Sequence, residues 1–450
     1  LPLPTDIRLC SAAATAERIA YRAPIKFGGR VVTDALLLNV EVEVETRAGQ
    51  RGLGRGSMPL GNVWAWPSKL VATDQTLAAM EAFGRRCVAA ANGHRQMGHP
   101  LELCQSLALE HTAHAQAIAT QVGLAEPLPR LAQLVAASPL EAAIHDAYGR
   151  ALGQNSYNLL GREYVGPDLA AFLDDDFRGE WLDQYTLRQP KPRMPLYHLV
   201  GALDPLTTAD IERPIGDGLP ETLGDWITAD GLTHLKIKLA GDDLEWDVER
   251  VCRVEAAALA AQTPRGCGQW NYSVDFNEKC DSVEYVLDFL AQVEARSPDA
   301  YRRIQYIEQP THRDLRANAA NRMHAAARLK PVVIDESLVD LDSLHAAREM
   351  GYSGVALKAC KGHSEALLMG AAAQKYGLFL CVQDLTCPGA SFLHSASLAA
   401  RIPTVSAIEG NGRQYCPAGN RGWEERFPAM FQITDGTVGT AALTGPGLGF

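Results

Sequence analysis

The sequence contains no run of 18 apolar residues, so no part of it reads as a membrane-spanning helix. It contains no Cys-x-x-Cys pair. Its ten cysteines, at positions 10, 87, 104, 252, 267, 280, 360, 381, 387 and 416, are scattered, which excludes the ligand ladder of a structural zinc site and favours reduced thiols over a disulfide framework. Positive charge is in deficit: 42 Lys and Arg against 53 Asp and Glu give a formal charge of −11, which excludes a general binder of nucleic acid or of anionic membranes. The opening Leu-Pro-Leu-Pro has neither the basic nor the apolar region of a secretory signal. These absences lead to the expectation of a cytoplasmic protein whose partner is a small molecule.

What is present is an ordinary globular composition, 47% hydrophobic and 21% charged over 450 residues, enough to bury more than one core. That length suits three average domains, or two if one of them is a barrel. Residues 1–190 read as a first, α+β domain. Val31 to Arg47 holds the alternation Val40-Glu41-Val42-Glu43-Val44-Glu45, a half-buried strand, and the Gly-rich run Gly49 to Gly61 then predicts turns or a mobile loop. Helical patterns follow at 74–91, 101–121 and 138–152, the last opened by Ser138-Pro139 with Glu141 at the third helical position.

Residues 191–425 change rhythm. Eight short β-rich runs (196–201, 235–239, 272–276, 305–307, 332–334, 355–357, 379–382 and 405–408) alternate with helical stretches, the signature of a closed (β/α)8 barrel. Residues 426–450 end in a Gly/Thr-rich segment expected to return to the first domain. The predicted fold is therefore α/β, a modified TIM-like barrel with an N-terminal α+β capping domain.

The residues that end these runs carry the chemistry. Run two ends Lys236-Ile237-Lys238, run three at Asp275, run four at Glu308, run five at Asp335-Glu336, run six at Lys358, run seven near Asp384 and run eight at Glu409. One ionisable group per βα unit, always at the carboxyl end, gathers them around one mouth, where barrel active sites lie. Asp275, Glu308 and Asp335 on three consecutive strands would repel one another unless a hard cation is shared; Mg²⁺ is favoured, with Mn²⁺ the alternative. The plainer reading of any one of them is a helix N-cap. Lys236 and Lys238, two apart on a strand, point to one face, and their mutual repulsion together with a nearby cation is expected to lower one pKa towards that of a general base. Lys358 approaches from the opposite side.

The series THLKIKL, SVDFNE, YIEQP, VVIDES and VALKACK closely resembles the enolase superfamily, particularly its muconate-lactonizing subgroup. The first domain is similar too, in YRAPIKFGG, VEVETRAGQRGLGRG and the helix EAAIHDAYGRALGQNSYNLLG. The resemblance implies Asp275, Glu308 and Asp335 as Mg²⁺ ligands, Lys238 as base with Lys236 its partner, Lys358 as the second acid/base, and Asn277 and Glu336 as residues that orient them. It implies removal of the proton α to the carboxylate of a small substrate through an enolate. Two bases on opposite faces suit racemisation or epimerisation; cycloisomerisation or syn elimination is the alternative, acid-sugar dehydration comes third, and a non-catalytic binding relative is the reading from another class.

The specificity residues depart from the subgroup. Strand eight carries Glu409-Gly410-Asn411 where dipeptide epimerases have Asp-x-Asp, and strand seven reads Gln383-Asp384-Leu385. Asp384, Glu409 and Asn411 are candidate substrate contacts, with Arg413 an alternative partner for Glu409. Trp64 and Trp66, after the Gly-rich run, are candidate lid residues or rim packing. His198 reads as a core histidine or a cavity residue, and Lys361 and His363 as residues without a chemical role. A homo-oligomer is compatible with this reading, though no residue demands one.

Overall fold

The computed structural model describes residues 2–27 and 30–450; Leu1 and the last two residues of the YRAPIKFGG motif, Gly28 and Gly29, lie outside the described residues. Strands β1 (Ile7–Phe27), β2 (Arg30–Thr46) and β3 (Arg51–Pro59) form an antiparallel sheet in that order. The Val/Glu alternation behaves as expected: Val40, Val42 and Val44 are buried while Glu41 stays exposed. β1 gives no such sign. Its Ala-rich stretch has poor strand propensity, yet it pairs with β2 from Ile7↔Thr46 to Phe27↔Arg30, so tertiary pairing overrides local preference.

The Gly-rich run is a strand, not a loop. Gly52, Gly54 and Gly56 of β3 alternate along one face, and a Cβ on them would strike the backbone of Ala147, Ala143 and Pro139 respectively. Those three residues lie one turn apart on helix α5 (Arg130–Ala151), so the glycines let strand backbone lie directly on helix backbone. Helix α5 also corrects the expected start at Ser138: it begins eight residues earlier and carries Pro139 in its interior. Proline has no N–H to give to the carbonyl four residues back, that of Val135. The Ser138 hydroxyl donates to that carbonyl instead, at 2.8 Å, so the helix continues.

Between β3 and α5 run α1 (Asn62–Ala65), α2 (Thr73–Ala91), α3 (Pro100–Ala108) and α4 (His111–Val122). The single helix expected over 101–121 is thus two. The turn at Leu109-Glu110 redirects the chain so that α4 packs on α2, with the His111 ring edge-on to Phe83 at 5.5 Å.

The barrel follows as β4 (Met194–Val200), α6 (Leu223–Asp230), β5 (His234–Lys238), α7 (Leu244–Gln262), β6 (Asn271–Asp275), α8 (Val283–Arg296), α9 (Pro298–Arg303) and β7 (Ile304–Glu308). It continues through α10 (His324–Ala327), β8 (Val332–Ile334), α11 (Leu341–Glu349), β9 (Gly354–Leu357), α12 (His363–Lys375), β10 (Phe379–Val382), α13 (Ala390–Arg401) and β11 (Ile408–Glu409). Each of β4 to β10 pairs in parallel with its successor, and β11 pairs in parallel with β4, closing an eight-stranded barrel. The short helices α14 (Gly412–Tyr415) and α15 (Pro428–Phe431) precede β12 (Thr437–Val438), which adds antiparallel to the start of β4. The chain then runs back to α5, where Leu448 N–H donates to Asp146 Oδ1 at 2.9 Å. No described helix is long and apolar enough to cross a membrane.

A candidate active site at the barrel mouth

Strand register decides what meets at the mouth. Lys238 sits beside Asp275, and Asp275 beside Glu308, as Cα partners across β5, β6 and β7. Glu308 pairs with Val333, so Asp335 stands just past the end of β8. Lys358 stands just past β9, four strands from β5 in a barrel of eight, and therefore faces Lys238 across the mouth. Lys236, Lys238, Asp275, Glu308, Asp335, Glu336, Lys358, Asp384, Glu409 and Asn411 are all buried.

The charges interlock. Lys236 Nζ lies 2.8 Å from Glu308 Oε2, 3.0 Å from Glu409 Oε2 and 3.2 Å from Asp275 Oδ2. Lys238 Nζ lies 2.5 Å from Asp275 Oδ2 and donates to Asn277 Oδ1 at 3.0 Å. Lys358 Nζ meets Asp335 Oδ2 at 2.8 Å, and Lys361 Nζ meets Asp335 Oδ1 at 3.1 Å. Gln383 Nε2 donates to Glu308, and Asn411 Nδ2 donates to Glu409 Oε1 at 3.3 Å. Asp384 accepts from the backbone N–H groups of Leu385, Cys387 and Asn411 at 2.8, 2.9 and 2.9 Å, which pins the loops after β10 and β11 together.

Among the described residues no three carboxylate, imidazole or thiol side chains stand so as to hold a metal ion between them; lysine ammoniums occupy the space beside Asp275, Glu308 and Asp335. The donor set nevertheless has the character a hard divalent cation requires. Six buried carboxyl groups (Asp275, Glu308, Asp335, Glu336, Asp384 and Glu409) face four buried lysines (236, 238, 358 and 361), an excess of two acidic groups. The excess shows in proton affinity. Glu308 is pushed well up by burial and by Asp275; Glu336 is raised to about 7 by burial and Asp335; Asp384 is raised to about 6 by burial and Glu409. Asp275 and Asp335 move down, because their lysine partners outweigh the effect of burial.

The expected lowering of one of Lys236 and Lys238 supposes a cation beside them; the carboxylates alone act the other way on Lys236. Burial acts to lower Lys236 and Lys358, but Glu308, Glu409 and Asp275 raise the first well above the ordinary value and Asp335 leads in raising the second. Carboxylates outnumber ammoniums, so attraction wins.

Other sequence-derived candidates fall into place individually. Glu409 pairs with Lys236 and not with Arg413, whose partner is Asp230. His198 turns outward against Trp226 of α6, with ring centroids 5.3 Å apart. Trp64 reaches the mouth, donating from Nε1 to Glu336 Oε1 at 2.9 Å, whereas Trp66 donates to Glu126 away from it. Asn277 Nδ2 lies 3.5 Å from Glu336 Oε1. Lys361, expected to have no chemical role, belongs to the cluster. Its spacing was the available signal: three residues after Lys358 and across a 3₁₀ turn (Ala359–Lys361), the two side chains share a side. Non-glycine residues with positive φ gather here as well, with Asn277, Glu278, Gln309 and Thr386 all in loops leaving barrel strands. A cleft of about 450 Å³ opens beside Lys238, Asn277 and Trp246, and one of about 200 Å³ lies beside Trp64, Leu385 and Thr386.

Residues 219–450 match the family model described as enolase C-terminal domain-like. No curated protein sequence matches the chain. Among solved structures, a mandelate racemase/muconate lactonizing protein from Herpetosiphon aurantiacus is 23% identical, with a TM-score of 0.62 over 99% of this chain and 98% of that one. A dipeptide epimerase from Enterococcus faecalis V583, complexed with Mg and the dipeptide L-Leu-L-Tyr, is 16% identical, with a TM-score of 0.64 over 98% and 99%. An N-succinyl Arg/Lys racemase from Bacillus cereus ATCC 14579 is also 16% identical, with a TM-score of 0.63 over 98% and 95%. At these identities the likenesses speak for the fold.

Proposed function

The chain belongs to the enolase C-terminal domain-like family, and from that premise we propose that it is a racemase or epimerase that removes and returns the proton α to the carboxylate of a small substrate. The observation that carries this is the placement of Lys238 and Lys358 on opposite sides of one buried mouth, with a file of carboxylates on the arc between them. Two bases so placed address the two faces of one carbon, which is what inversion of a stereocentre needs.

Asp275, Glu308 and Asp335 would hold a divalent ion, Mg²⁺ before Mn²⁺, because their oxygen donors suit a hard cation and the mouth has two more acidic groups than lysines. Bound there, the ion would supply Lewis-acid stabilisation of the charge that develops on the substrate carboxylate, and would offset the charge that holds Lys236 and Lys358 protonated. Lys238 takes the proton on one face and Lys358 delivers one on the other, or the reverse. Lys236, tied to Glu308 and Glu409, keeps positive charge next to the carboxylate being deprotonated. Asn277 orients Lys238, and Glu336 shares the Lys358 side. Asp384, Glu409 and Asn411 line the side of the mouth given by β10 and β11 and contact the remainder of the substrate. The choice over cycloisomerisation or elimination rests on the two opposed lysines, since the solved structures of this fold include epimerases, racemases and muconate lactonizing enzymes.

The test is α-proton exchange in D₂O with Mg²⁺, read by mass spectrometry on pooled N-acyl amino acids, dipeptides, hydroxy acids and acid sugars. Lys238→Ala and Lys358→Ala should each lower exchange on their own face by at least about a hundredfold, the usual worth of a positioned base. Addition of EDTA should abolish both. Exchange that survives both lysine replacements would refute the two-base reading.

A further inference from the structure

The N-terminal domain reaches the barrel mouth through the single turn of α1, and one side chain on it touches two charged groups there. The indole face of Trp64 lies against Lys358, whose Nζ is 4.2 Å from the ring centroid, while its Nε1–H donates to Glu336 Oε1 at 2.9 Å. Lys361 Nζ lies 5.7 Å from the same ring. Trp64 is 5% exposed, so these contacts are shut off from water, where a cation on an aromatic face counts for most.

The turn is clamped from the barrel side. Arg313, in the loop after β7, donates to the carbonyls of Trp64 and Ala65 at 3.0 and 3.3 Å. Its guanidinium also pairs with Glu278, in the loop after β6, with Nε 2.9 Å from Oε2. Glu278 and Asn277 hold φ of +61° and +46°, a conformation non-glycine residues adopt only where their surroundings impose it. On the other side Asn62 ties the turn to α2, donating to the Thr73 carbonyl and the Thr76 hydroxyl at 2.9 Å each.

Lys358 needs such support more than Lys236 does. Lys236 is caught among three carboxylates, which together fix its direction. Lys358 has an ion pair with one residue, Asp335, at the end of a flexible four-carbon stem, and one ion pair fixes a distance but not a direction. We infer that Trp64 is a positioning residue for Lys358: seated by the Arg313–Glu278 clamp, its indole face fixes the direction of the Lys358 ammonium while its N–H fixes Glu336. The docking of the N-terminal domain thereby sets the geometry on one side of the mouth. This concerns where Lys358 sits, and it holds whether or not Lys358 exchanges a proton.

The experiment needs no substrate. The full chain is treated with a limiting amount of an amine-acetylating ester, and acetylation of each lysine is read by peptide mass spectrometry. The samples are wild type, Trp64→Phe, Trp64→Leu and Arg313→Met, each checked for an unchanged far-ultraviolet circular dichroism spectrum. Lys358 should be modified at least about fivefold more in Trp64→Leu and in Arg313→Met, while Trp64→Phe, which keeps an aromatic face, stays within about twofold of wild type. Lys236 and Lys238 should be unchanged throughout. Equal gains at Lys236, Lys238 and Lys358 would mean that the mouth merely opens, and would overturn the inference. So would an unchanged Lys358 in Trp64→Leu or Arg313→Met, or a Trp64→Phe protein that behaves like Trp64→Leu. Should Trp64→Leu fail to fold, Arg313→Met leaves the indole in the sequence and decides alone.

Discussion

At the scale of single residues the mouth is a problem of charge balance that Lys236 solves. Its ammonium lies within 3.2 Å of Asp275, Glu308 and Glu409, all buried, so Lys236→Met strips three carboxylates of a shared counter-charge at once. Breaking a buried ion pair by removing one partner costs about 3–5 kcal/mol. We therefore expect a loss of that order in urea unfolding of the metal-free protein at pH 8. The loss should shrink towards pH 5, because carboxylates whose proton affinity burial has already raised, Glu308 foremost, can then take up protons in place of the lost ammonium. An equal loss at both pH values would place its cause in packing. The carboxylates that neighbouring strands bring to Lys236 raise its proton affinity, whereas the lowering expected of one of Lys236 and Lys238 supposes a cation bound beside them.

At the scale of elements the informative contacts are made by backbone. The β3–α5 contact depends on Gly52, Gly54 and Gly56, where any Cβ would meet helix backbone that cannot rotate away. Gly54→Ala is expected to destabilise by about 3 kcal/mol, the upper range for overpacking. Gly93→Ala, just past α2 where a Cβ meets one carbonyl at 3.4 Å, should stay within about 0.5 kcal/mol of wild type. Thermal melts of the two variants side by side check this, and similar melting temperatures would remove the close-approach account of the Gly-rich run. Within α5, Ser138→Ala leaves the Val135 carbonyl without the hydroxyl that replaces the missing proline N–H. A loss of about 1–2 kcal/mol in denaturant unfolding is expected, where an exposed serine would give almost none.

At the scale of the molecule, α5 of the N-terminal domain meets α12 of the barrel through two carboxyls. Glu141 accepts from the Ser364 N–H at 3.1 Å and is raised to about 7 by burial. Glu365, whose Oε1 is shut off from solvent without a partner, is raised to about 8 by burial and then by Glu141. A carboxyl held above its unfolded value of about 4.5 favours the fold when protonated. Its contribution is complete below pH 4.5 and is lost as pH rises through 8. Stability should therefore decline between about pH 5 and pH 9, and Glu365→Gln should recover on the order of 2 kcal/mol of that decline, a discounted figure because the residue is partly exposed. Melting temperatures of wild type and variant across that range decide it; parallel curves would show that Glu365 titrates normally.

Much of the architecture was legible in the chain because it is periodic. Eight apolar runs, seven of them ended by a charged residue, read as barrel strands, since a parallel strand is buried along its length and meets function only at its carboxyl end. The Val/Glu alternation of β2 was legible for the same reason. β1, β3 and the interior Pro139 were not: alanine, glycine and proline carry the wrong local preference, and what overrides it is a partner strand or helix backbone far away in sequence. The type and order of the mouth residues were fixed by the sequence, because strand ends alone bring Lys238, Asp275, Glu308, Asp335 and Lys358 to one rim. Which of them touch, that Lys361 joins them, that Trp64 reaches across from the N-terminal domain and that the carboxylates exceed the lysines in effect were decided by the tertiary structure. Distances of 3 Å between residues as far apart as 272 positions follow from closing the barrel and seating α1 upon it, and no local pattern encodes that closure.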